Sequence, residues 1–182
     1  MAQLDRALDY GSRGCRFESY RVYKKMKIYK LKYKQIIKER TIKEVFDFFS
    51  RPENLSTITP DRLNFTILTP SPIKMKEGQL IDYTIKILGK KIRWRTIISE
   101  YNPPYMFIDQ QLKGPYSLWH HKHIFNEVKD GVEIIDEIHY VVPFGFIGSI
   151  VNYFFINRDL NFIFKYRKNI INQHFINKKE NK

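Results

Sequence analysis

The segment 114–125, GPYSLWHHKHIF, contains three histidines within four positions, directly after a tryptophan. Polar and apolar residues alternate here, which indicates a β-strand whose successive side chains point to opposite faces. Lys122 belongs in water, so the face that carries Trp119, His121 and His123 is expected to point into the protein. Two imidazoles on an inner face could bind a metal ion, transfer protons or stabilise a buried polar network.

A metal site needs more ligands than these two histidines. Zinc in proteins takes three or four ligands in a tetrahedral arrangement, and the third would have to be Asp136 or Glu100. A catalytic site needs an imidazole oriented by a carboxylate; His123 with Asp136 is the candidate pair, although no nucleophile is evident. The same pair can form a satisfied buried network that fixes a ligand or braces the sheet. The sequence favours this last interpretation, so no metal site is expected and no catalytic residue is assigned.

The dipeptide Asp130-Gly131 sets the expected pairing of the histidine strand with the next strand. Asp-Gly is a strong signal for the two-residue loop of a β-hairpin. With these two residues as the loop, Asp136 lies diagonal to His123, within reach of long polar side chains. The cross-strand pairs in this register are Lys129–Val132, Phe125–Asp136, His123–Ile138 and His121–Tyr140.

The same alternation assigns further side chains to the interior. Trp94 lies between two arginines and is expected to face inward. Ligand pockets are mostly apolar with a few placed polar groups, and the side chains predicted to face inward include both aromatic and polar groups. On the last helix, Phe154 and Phe155 could cover the cavity as a lid or pack on the sheet, and the pattern favours packing. Arg167 is expected to find a carboxylate or a backbone carbonyl. The predicted ligand-binding residues are Trp94, Trp119, His121, His123, Asp136 and Tyr140.

The elements that carry these residues are strands, with helices near both ends of the chain. A strand over 28–38 is followed by a capping box, Thr41 with Glu44, that begins a short helix, and a second short helix begins in 50–54. Apolar residues at spacings of three and four predict a long helix over 146–175. Between the helices, six strands separated by Pro, Gly and Asn turns predict an antiparallel meander. They are 63–69, 79–88, 91–101, 105–113, 116–128 and 132–142.

This order predicts an α+β fold with one layer of sheet and one of helix. A seven-stranded curved antiparallel sheet wraps around the long C-terminal helix, with two short helices between strands 1 and 2. Such a sheet would leave a cavity between itself and the helix.

Four segments in this order resemble the SRPBCC superfamily, whose START-like and birch-pollen-allergen-like members have the helix-grip fold. They are PENLSTITP (52–60), GPYSLWHHKHIF (114–125), DEIHYVVPFG (136–145) and NRDLNFIFKYR (157–167). More narrowly, they are similar to the bacterial ligand-binding members related to polyketide cyclase/dehydrase-like domains. The likeness covers about residues 27–175. It implies a cavity that binds apolar small molecules or lipids, with catalysis in only some members, because a fold alone does not decide function.

Composition and charge narrow the function classes. The chain is 43% apolar and 15% aromatic, which is typical of a globular protein. Its net charge of +13 would suit nucleic acid or an anionic membrane. The excess is lysine, however, which AT-rich codons favour, and arginine is scarce after residue 25, so no specific nucleic-acid binding is expected. The uncharged, mostly apolar run 141–156 is too short for a membrane span.

The first 25 residues differ from the rest of the chain. Residues 1–22 contain no Lys, Ile or Asn and show no apolar period. The words RALDYGSRGCRFES (6–19) resemble a translated transfer-RNA gene, which suggests that Met26 is the better beginning; a genuine basic arm is the alternative. The expected organisation is therefore a non-native or disordered extension at 1–25, a ligand-binding domain at 26–176 and a basic tail at 177–182. The only cysteine, Cys15, falls in the extension.

These observations predict a cytoplasmic, single-domain protein that needs no cofactor. The single cysteine excludes an internal disulfide framework, and no signal segment opens the chain. We expect it to bind a small apolar or aromatic ligand, lipid- or polyketide-like, between the sheet and the C-terminal helix. One alternative is a cyclase/dehydrase-type enzyme that uses His123 and Asp136. Another is a basic surface module for nucleic acid or an anionic membrane. The sequence leaves the ligand and the oligomeric state open.

Overall fold

The computed structural model describes residues 27–87 and 89–180, with side chains to residue 177. The predicted extension at 1–25 lies outside the described residues. The strands are β1 (Tyr29–Lys38), β2 (Thr66–Ile67), β3 (Leu80–Ile87), β4 (Lys90–Asn102), β5 (Met106–Lys113), β6 (Leu118–Val128) and β7 (Gly131–Val141). The α-helices are α1 (Ile42–Phe49), α2 (Gly145–Val151) and α3 (Asn157–Glu180), with 3-10 turns at Pro52–Leu55 and Asp61–Leu63 and a π-helical turn at Asn152–Ile156.

The strands form one curved antiparallel sheet in the order β1-β7-β6-β5-β4-β3-β2. Strands β2 to β7 are sequential neighbours, as short turns between antiparallel strands require. β1 pairs with β7 along its whole length, from Tyr29 opposite Tyr140 to Lys38 opposite Gly131. The predicted α+β architecture, with its meander and its long C-terminal helix, is confirmed.

Helix α1 closes one end of the sheet. Its predicted capping box is confirmed: the Thr41 hydroxyl accepts a hydrogen bond from the Glu44 amide, and the Glu44 carboxylate accepts one from the Thr41 amide at 3.0 Å. The buried face of the helix then packs on the sheet, where the Phe46 ring meets Phe125 edge-on at 5.3 Å between centroids. This contact places helix α1 on the inner face of β6 next to His123.

Helix α3 lies across the inner face of the sheet. The Phe164 ring stacks on Tyr33 of β1 at 4.5 Å between centroids, and the Tyr33 hydroxyl donates a hydrogen bond to Asn161 Oδ1 at 2.9 Å. The predicted apolar stripe of α3 is buried at Leu160, Phe164 and Ile171, and the helix continues to Glu180. Within the described ranges, no helix combines the length and the apolar character that crossing a membrane would require.

Candidate functional site

The inner face of β6 carries the side chains that the alternation assigned to the interior. Four alternate residues on this face are buried: Trp119, His121, His123 and Phe125. His121 is 4% exposed and His123 is 5% exposed, so both imidazoles are shielded from solvent. His120 stacks with His139 of β7 on the opposite face, with ring centroids 6.1 Å apart.

The pairing of β6 with β7 differs from the predicted register by two residues. The loop is Lys129-Asp130, and Val128 pairs with Gly131. Gly131 lies within β7 at a φ of +146°, where a Cβ atom would clash with the carbonyl oxygen of Ile37. The glycine is therefore required by the close approach of β1 and not by the turn, and the predicted register was wrong. The observed pairs are His123–Asp136, His121–Ile138 and Trp119–Tyr140.

Two aspartates surround the buried histidines. Asp136 of β7 lies directly opposite His123, and Asp109 of β5 lies directly opposite His121. His121 Nε2 is 3.0 Å from Asp136 Oδ1, and His121 Nδ1 is 3.4 Å from Asp109 Oδ2. His123 Nε2 is 3.0 Å from Asp109 Oδ2, and His123 Nδ1 is 2.8 Å from Asp136 Oδ1. Each imidazole thus has one carboxylate at each ring nitrogen; we call these four residues the His–Asp cluster.

The sequence did not identify Asp109. The residue alternates with Phe107 in a predicted strand, so its inward direction could have been read from the pattern. Its place beside the histidines depends on the register between β5 and β6, which the turn at 114–117 does not fix. Glu100, the other carboxylate considered as a ligand, is exposed beside a β-bulge in β4.

The histidines keep both carboxylates ionised. Burial alone would raise the pKa of Asp136, but hydrogen bonds from His121 and His123 outweigh it and lower the pKa. Burial is likewise outweighed at Asp109, whose pKa is lowered by the electrostatic interaction with His121 and by the hydrogen bond from His123. Burial lowers the pKa of His121, whereas hydrogen bonds to both aspartates overcome burial and raise the pKa of His123. Of the two imidazoles, His123 therefore holds a proton more strongly.

Aromatic rings fill the interior beside this cluster. We call five of them the aromatic band: Tyr83, Trp94, Tyr116, Trp119 and Tyr140. The Trp94 ring meets Trp119 edge-on at 5.6 Å and stacks on Tyr83 at 5.8 Å between centroids. Trp94 is 5% exposed, Trp119 is 8% exposed and Tyr140 is 1% exposed, so all three face inward as predicted. Neighbouring protein atoms cover these rings.

An open cleft of about 450 Å³ lies at the end of the sheet where α2 begins. We call it the α2 cleft; its lining is Lys27, Tyr29, Ser117, Val142, Pro143, Phe144, Gly145, Phe146 and Ser149. The six predicted ligand-binding residues are not in this lining, but Tyr29 stacks on Tyr140 at 5.4 Å and so joins the cleft to the aromatic band. A second cleft, of about 840 Å³, lies at the opposite end around the Lys129-Asp130 turn and is lined mainly by polar and charged residues.

The chain between β7 and α3 presents an exposed apolar surface. We call it the apolar segment; its exposed side chains are Phe144, Phe146, Ile147, Ile150, Tyr153, Phe154 and Phe155. The prediction that Phe154 and Phe155 pack on the sheet was wrong, because they are 60% and 63% exposed. Phe154 and Phe155 lie within the π-helical turn, whose wider period departs from the 3.6-residue period on which the predicted apolar stripe depends. Asn152 is buried instead, and its Oδ1 accepts a hydrogen bond from the Tyr140 hydroxyl at 2.9 Å.

Arg167 faces the interior from α3. Its guanidinium lies 5.1 Å from the centre of the Phe164 ring, and its Nε is buried without a hydrogen-bond partner among the described residues. The carboxylate or carbonyl partner expected for Arg167 is therefore not found at this atom. Its positive charge adds to those that lower the pKa of Asp109 against burial.

Comparison with known proteins supports the fold and nothing narrower. No family model and no curated protein matches the sequence. A structure from Mycobacterium smegmatis matches with a TM-score of 0.61 and 12% identity, covering 82% of this chain and 92% of its own. The major latex-like protein of Panax ginseng matches with a TM-score of 0.57 and 11% identity, covering 81% and 97%. A Thermus thermophilus protein matches with a TM-score of 0.59 and 12% identity, covering 79% and 97%.

The chain has the helix-grip fold. The fold that the sequence resemblance implied is confirmed. At such low identities, the likeness of this helix-grip protein to solved structures extends to the fold alone.

Proposed function

We propose that this helix-grip protein binds a small apolar or aromatic molecule, which occupies the α2 cleft and contacts Tyr29 at the edge of the aromatic band. The observation that carries the proposal is the position of the cleft, between the exposed apolar segment and the buried band. Tyr29 lines the cleft and stacks on Tyr140, which contacts Trp119 in turn. An apolar molecule would thus meet a continuous aromatic surface from the outside inward.

One buried polar atom supports a ligand that carries oxygen. The hydroxyl of Tyr29, which lines the α2 cleft, is buried without a hydrogen-bond partner among the described residues. A buried polar group left unpaired costs about 1–3 kcal/mol, and a carbonyl or hydroxyl oxygen of a ligand would accept the hydrogen bond that this hydroxyl can donate. Lipid- and polyketide-like molecules combine such oxygens with an apolar body.

The size of the α2 cleft fits a small ligand. Ligand pockets span about 300–1,000 Å³, and the cleft of about 450 Å³ lies within that range. The rings of Trp94, Trp119 and Tyr140 occupy the space in which the sequence analysis expected a cavity. We therefore propose that these three rings lie behind the site, and that Tyr29 separates them from the ligand.

A dye titration tests this proposal. The neutral dye N-phenyl-1-naphthylamine absorbs tryptophan emission, so its binding near Trp94 and Trp119 should quench them saturably. Ser149→Phe places a ring in the α2 cleft and should weaken binding at least about tenfold, which is about 1.4 kcal/mol. Phe154→Ser removes a ring of the apolar segment outside the cleft and should leave affinity near that of the wild type. If Phe154→Ser weakens binding and Ser149→Phe does not, the dye lies on the surface and the proposal fails.

A second candidate function is attachment to an anionic membrane surface, which the apolar segment specifically favours. Large contiguous apolar patches mark interaction sites, and aromatic side chains prefer the level of lipid headgroups. Residues 138–158 contain no Asp or Glu, and the exposed cations Lys27 and Arg158 lie beside or within this part of the chain. Basic residues attract anionic lipid by about 1 kcal/mol each.

Vesicle sedimentation distinguishes this second function from the first. The protein should sediment with phosphatidylglycerol vesicles and much less with phosphatidylcholine vesicles. Replacement of both Phe154 and Phe155 by Ser should reduce binding at least about tenfold, whereas Phe162→Ser is the control, since Phe162 is 52% exposed on α3 outside the apolar segment. Equal binding by both variants would exclude the segment as the membrane contact.

The cyclase/dehydrase-type alternative is less well supported by the cluster geometry. Both ring nitrogens of His123 face carboxylates, at 3.0 Å and 2.8 Å. A general base needs a nitrogen within hydrogen-bond reach of the substrate, and a fully enclosed imidazole does not offer one. We therefore propose that the protein binds its ligand without converting it. We further propose that it acts in the cytoplasm and does not recognise nucleic acid specifically.

A further inference from the structure

We propose that Asp109, His121 and His123 form a binding site for one divalent transition-metal ion of the Zn²⁺ class. One donor atom from each residue lies within 4.8 Å of the others. His121 Nδ1 and His123 Nε2 both face the same atom, Asp109 Oδ2. The site is independent of the proposed apolar ligand, because none of the three residues lines the α2 cleft.

The distances from the Asp109 oxygen to the two imidazole nitrogens suit one ion. Zinc bonds nitrogen and carboxylate oxygen at about 2.0–2.2 Å, so adjacent ligand atoms lie about 3.0–3.4 Å apart in octahedral to tetrahedral geometry. Asp109 Oδ2 lies 3.4 Å from His121 Nδ1 and 3.0 Å from His123 Nε2. Two imidazoles and one carboxylate are a common donor set for zinc and for non-haem iron.

Asp136 occupies the position of a supporting carboxylate. Metal-bound histidines usually present the other ring nitrogen to a carboxylate, which fixes the ring and the tautomer. Asp136 Oδ1 lies 3.0 Å from His121 Nε2 and 2.8 Å from His123 Nδ1. One carboxylate therefore contacts the outer nitrogen of both rings, leaving the inner nitrogens directed at Asp109.

Charge and burial favour a cation at this point. Asp109 and Asp136 place two carboxylates around the same pair of buried imidazoles, and carboxylate charge without enough compensation is costly in the interior. A divalent cation neutralises this charge. Arg167 faces the cluster from α3, but within the described part of the chain the ion pairs of Asp109 are those with His121 and His123. The Asp109 side chain is 19% exposed, against 5% and 7% for the histidines, so the metal would reach solvent on its side.

Cobalt provides the test, because its visible spectrum reports the coordination of a zinc-type site. The full chain is stripped with a chelator and titrated with Co²⁺. We expect one equivalent to bind with the intense visible bands of a four- or five-coordinate ion, and Zn²⁺ to displace it. Asp109→Asn should weaken binding at least about 100-fold, whereas Asp136→Asn should weaken it by about 10–100-fold, as loss of a supporting carboxylate does.

Two controls separate this site from the protein surface. Asp82→Asn makes the same change at an aspartate paired with Arg95, and it should leave Co²⁺ affinity unchanged. Replacing both His120 and His139 by Gln removes the stacked histidine pair of the outer face and should also leave it unchanged. Binding lost in this double variant but retained in Asp109→Asn would overturn the proposal, as would a wild-type protein that binds no Co²⁺.

A measurement on the wild type keeps the test decisive if Asp109→Asn does not fold. Proton NMR of the Co²⁺ form should show two solvent-exchangeable, strongly shifted imidazole signals, from His121 Nε2–H and His123 Nδ1–H beside Asp136. Because both imidazoles are buried, their N–H protons exchange slowly with water and remain visible. The N–H protons of an exposed histidine pair would exchange too fast to be seen. Absence of both signals in a protein that has bound Co²⁺ would overturn the assignment.

Discussion

Truncation of Trp119 to alanine measures how fully the interior of the sheet is packed. The side chain is 8% exposed and contacts Trp94 at 5.6 Å, Tyr116 at 5.0 Å and Tyr140 at 6.1 Å between ring centroids. An indole buries roughly 200 Å², which at about 25 cal/mol/Å² is about 5 kcal/mol of transfer free energy. Measured Trp→Ala and Phe→Ala changes in packed cores cost about 3–5 kcal/mol. We therefore expect Trp119→Ala to lower the free energy of unfolding by about 3–5 kcal/mol.

Urea unfolding followed by far-UV circular dichroism is the appropriate assay, because the variant loses half of the tryptophan signal. Phe154→Ala is the matched control, since that ring is 60% exposed and its removal should change the free energy of unfolding by less than about 0.5 kcal/mol. A loss below about 2 kcal/mol for Trp119→Ala, with an unchanged urea slope, would refute the reasoning. It would mean that open space adjoins the indole and that the ligand site lies deeper than the α2 cleft.

Three further predictions concern the surroundings of the site. Tyr140→Phe leaves the buried Asn152 Oδ1 without its donor, so urea unfolding should show a loss of about 1–3 kcal/mol; a change under about 0.5 kcal/mol would contradict this. The hydrogen bond from the backbone amide of Ile73 lowers the pKa of Glu53 below its usual 4.5. Ionised Glu53 therefore stabilises the fold above pH 4.5, and this stabilisation is lost as the pH falls through the lowered pKa of the folded state. The difference in free energy of unfolding between wild type and Glu53→Gln should therefore shrink between pH 7 and about pH 3. A difference that stays constant over this range would contradict the prediction. Binding to duplex DNA should vanish by about 200 mM salt; sequence-selective binding that persists would promote the nucleic-acid alternative.

The sequence predicted those parts of the fold that depend on local patterns. Thr41 and Glu44 satisfy the first turn of α1 with each other, so the capping box can be read without tertiary information. Trp94 lies between two arginines, and Trp119 and His121 lie on the face of β6 opposite Lys122, so the period of two in a strand assigns all three to the inner face. The class of fold follows from these elements and their order.

The parts that depend on pairing between strands could not be predicted. The sequence predicts Gly131 as a turn residue, whereas the structure has it in β7, where β1 passes too close for a Cβ atom. A hairpin sequence carries no sign of such a third strand. Asp109 required the register between β5 and β6, and the bulges in β4 show how such registers shift without a local signal. Phe154 fits the apolar stripe of the predicted helix, but Phe154 and Phe155 lie within a π-helical turn, which the apolar pattern does not reveal.

A native mass spectrum tests most directly whether a small apolar molecule occupies the α2 cleft. The wild-type protein is incubated with a total bacterial lipid extract, repurified and weighed without unfolding. We predict one bound small molecule that organic solvent extracts, present on the wild type and on Phe154→Ser and absent from Ser149→Phe. A wild-type protein without any bound organic molecule, or a molecule retained equally by Ser149→Phe, would contradict the proposed function.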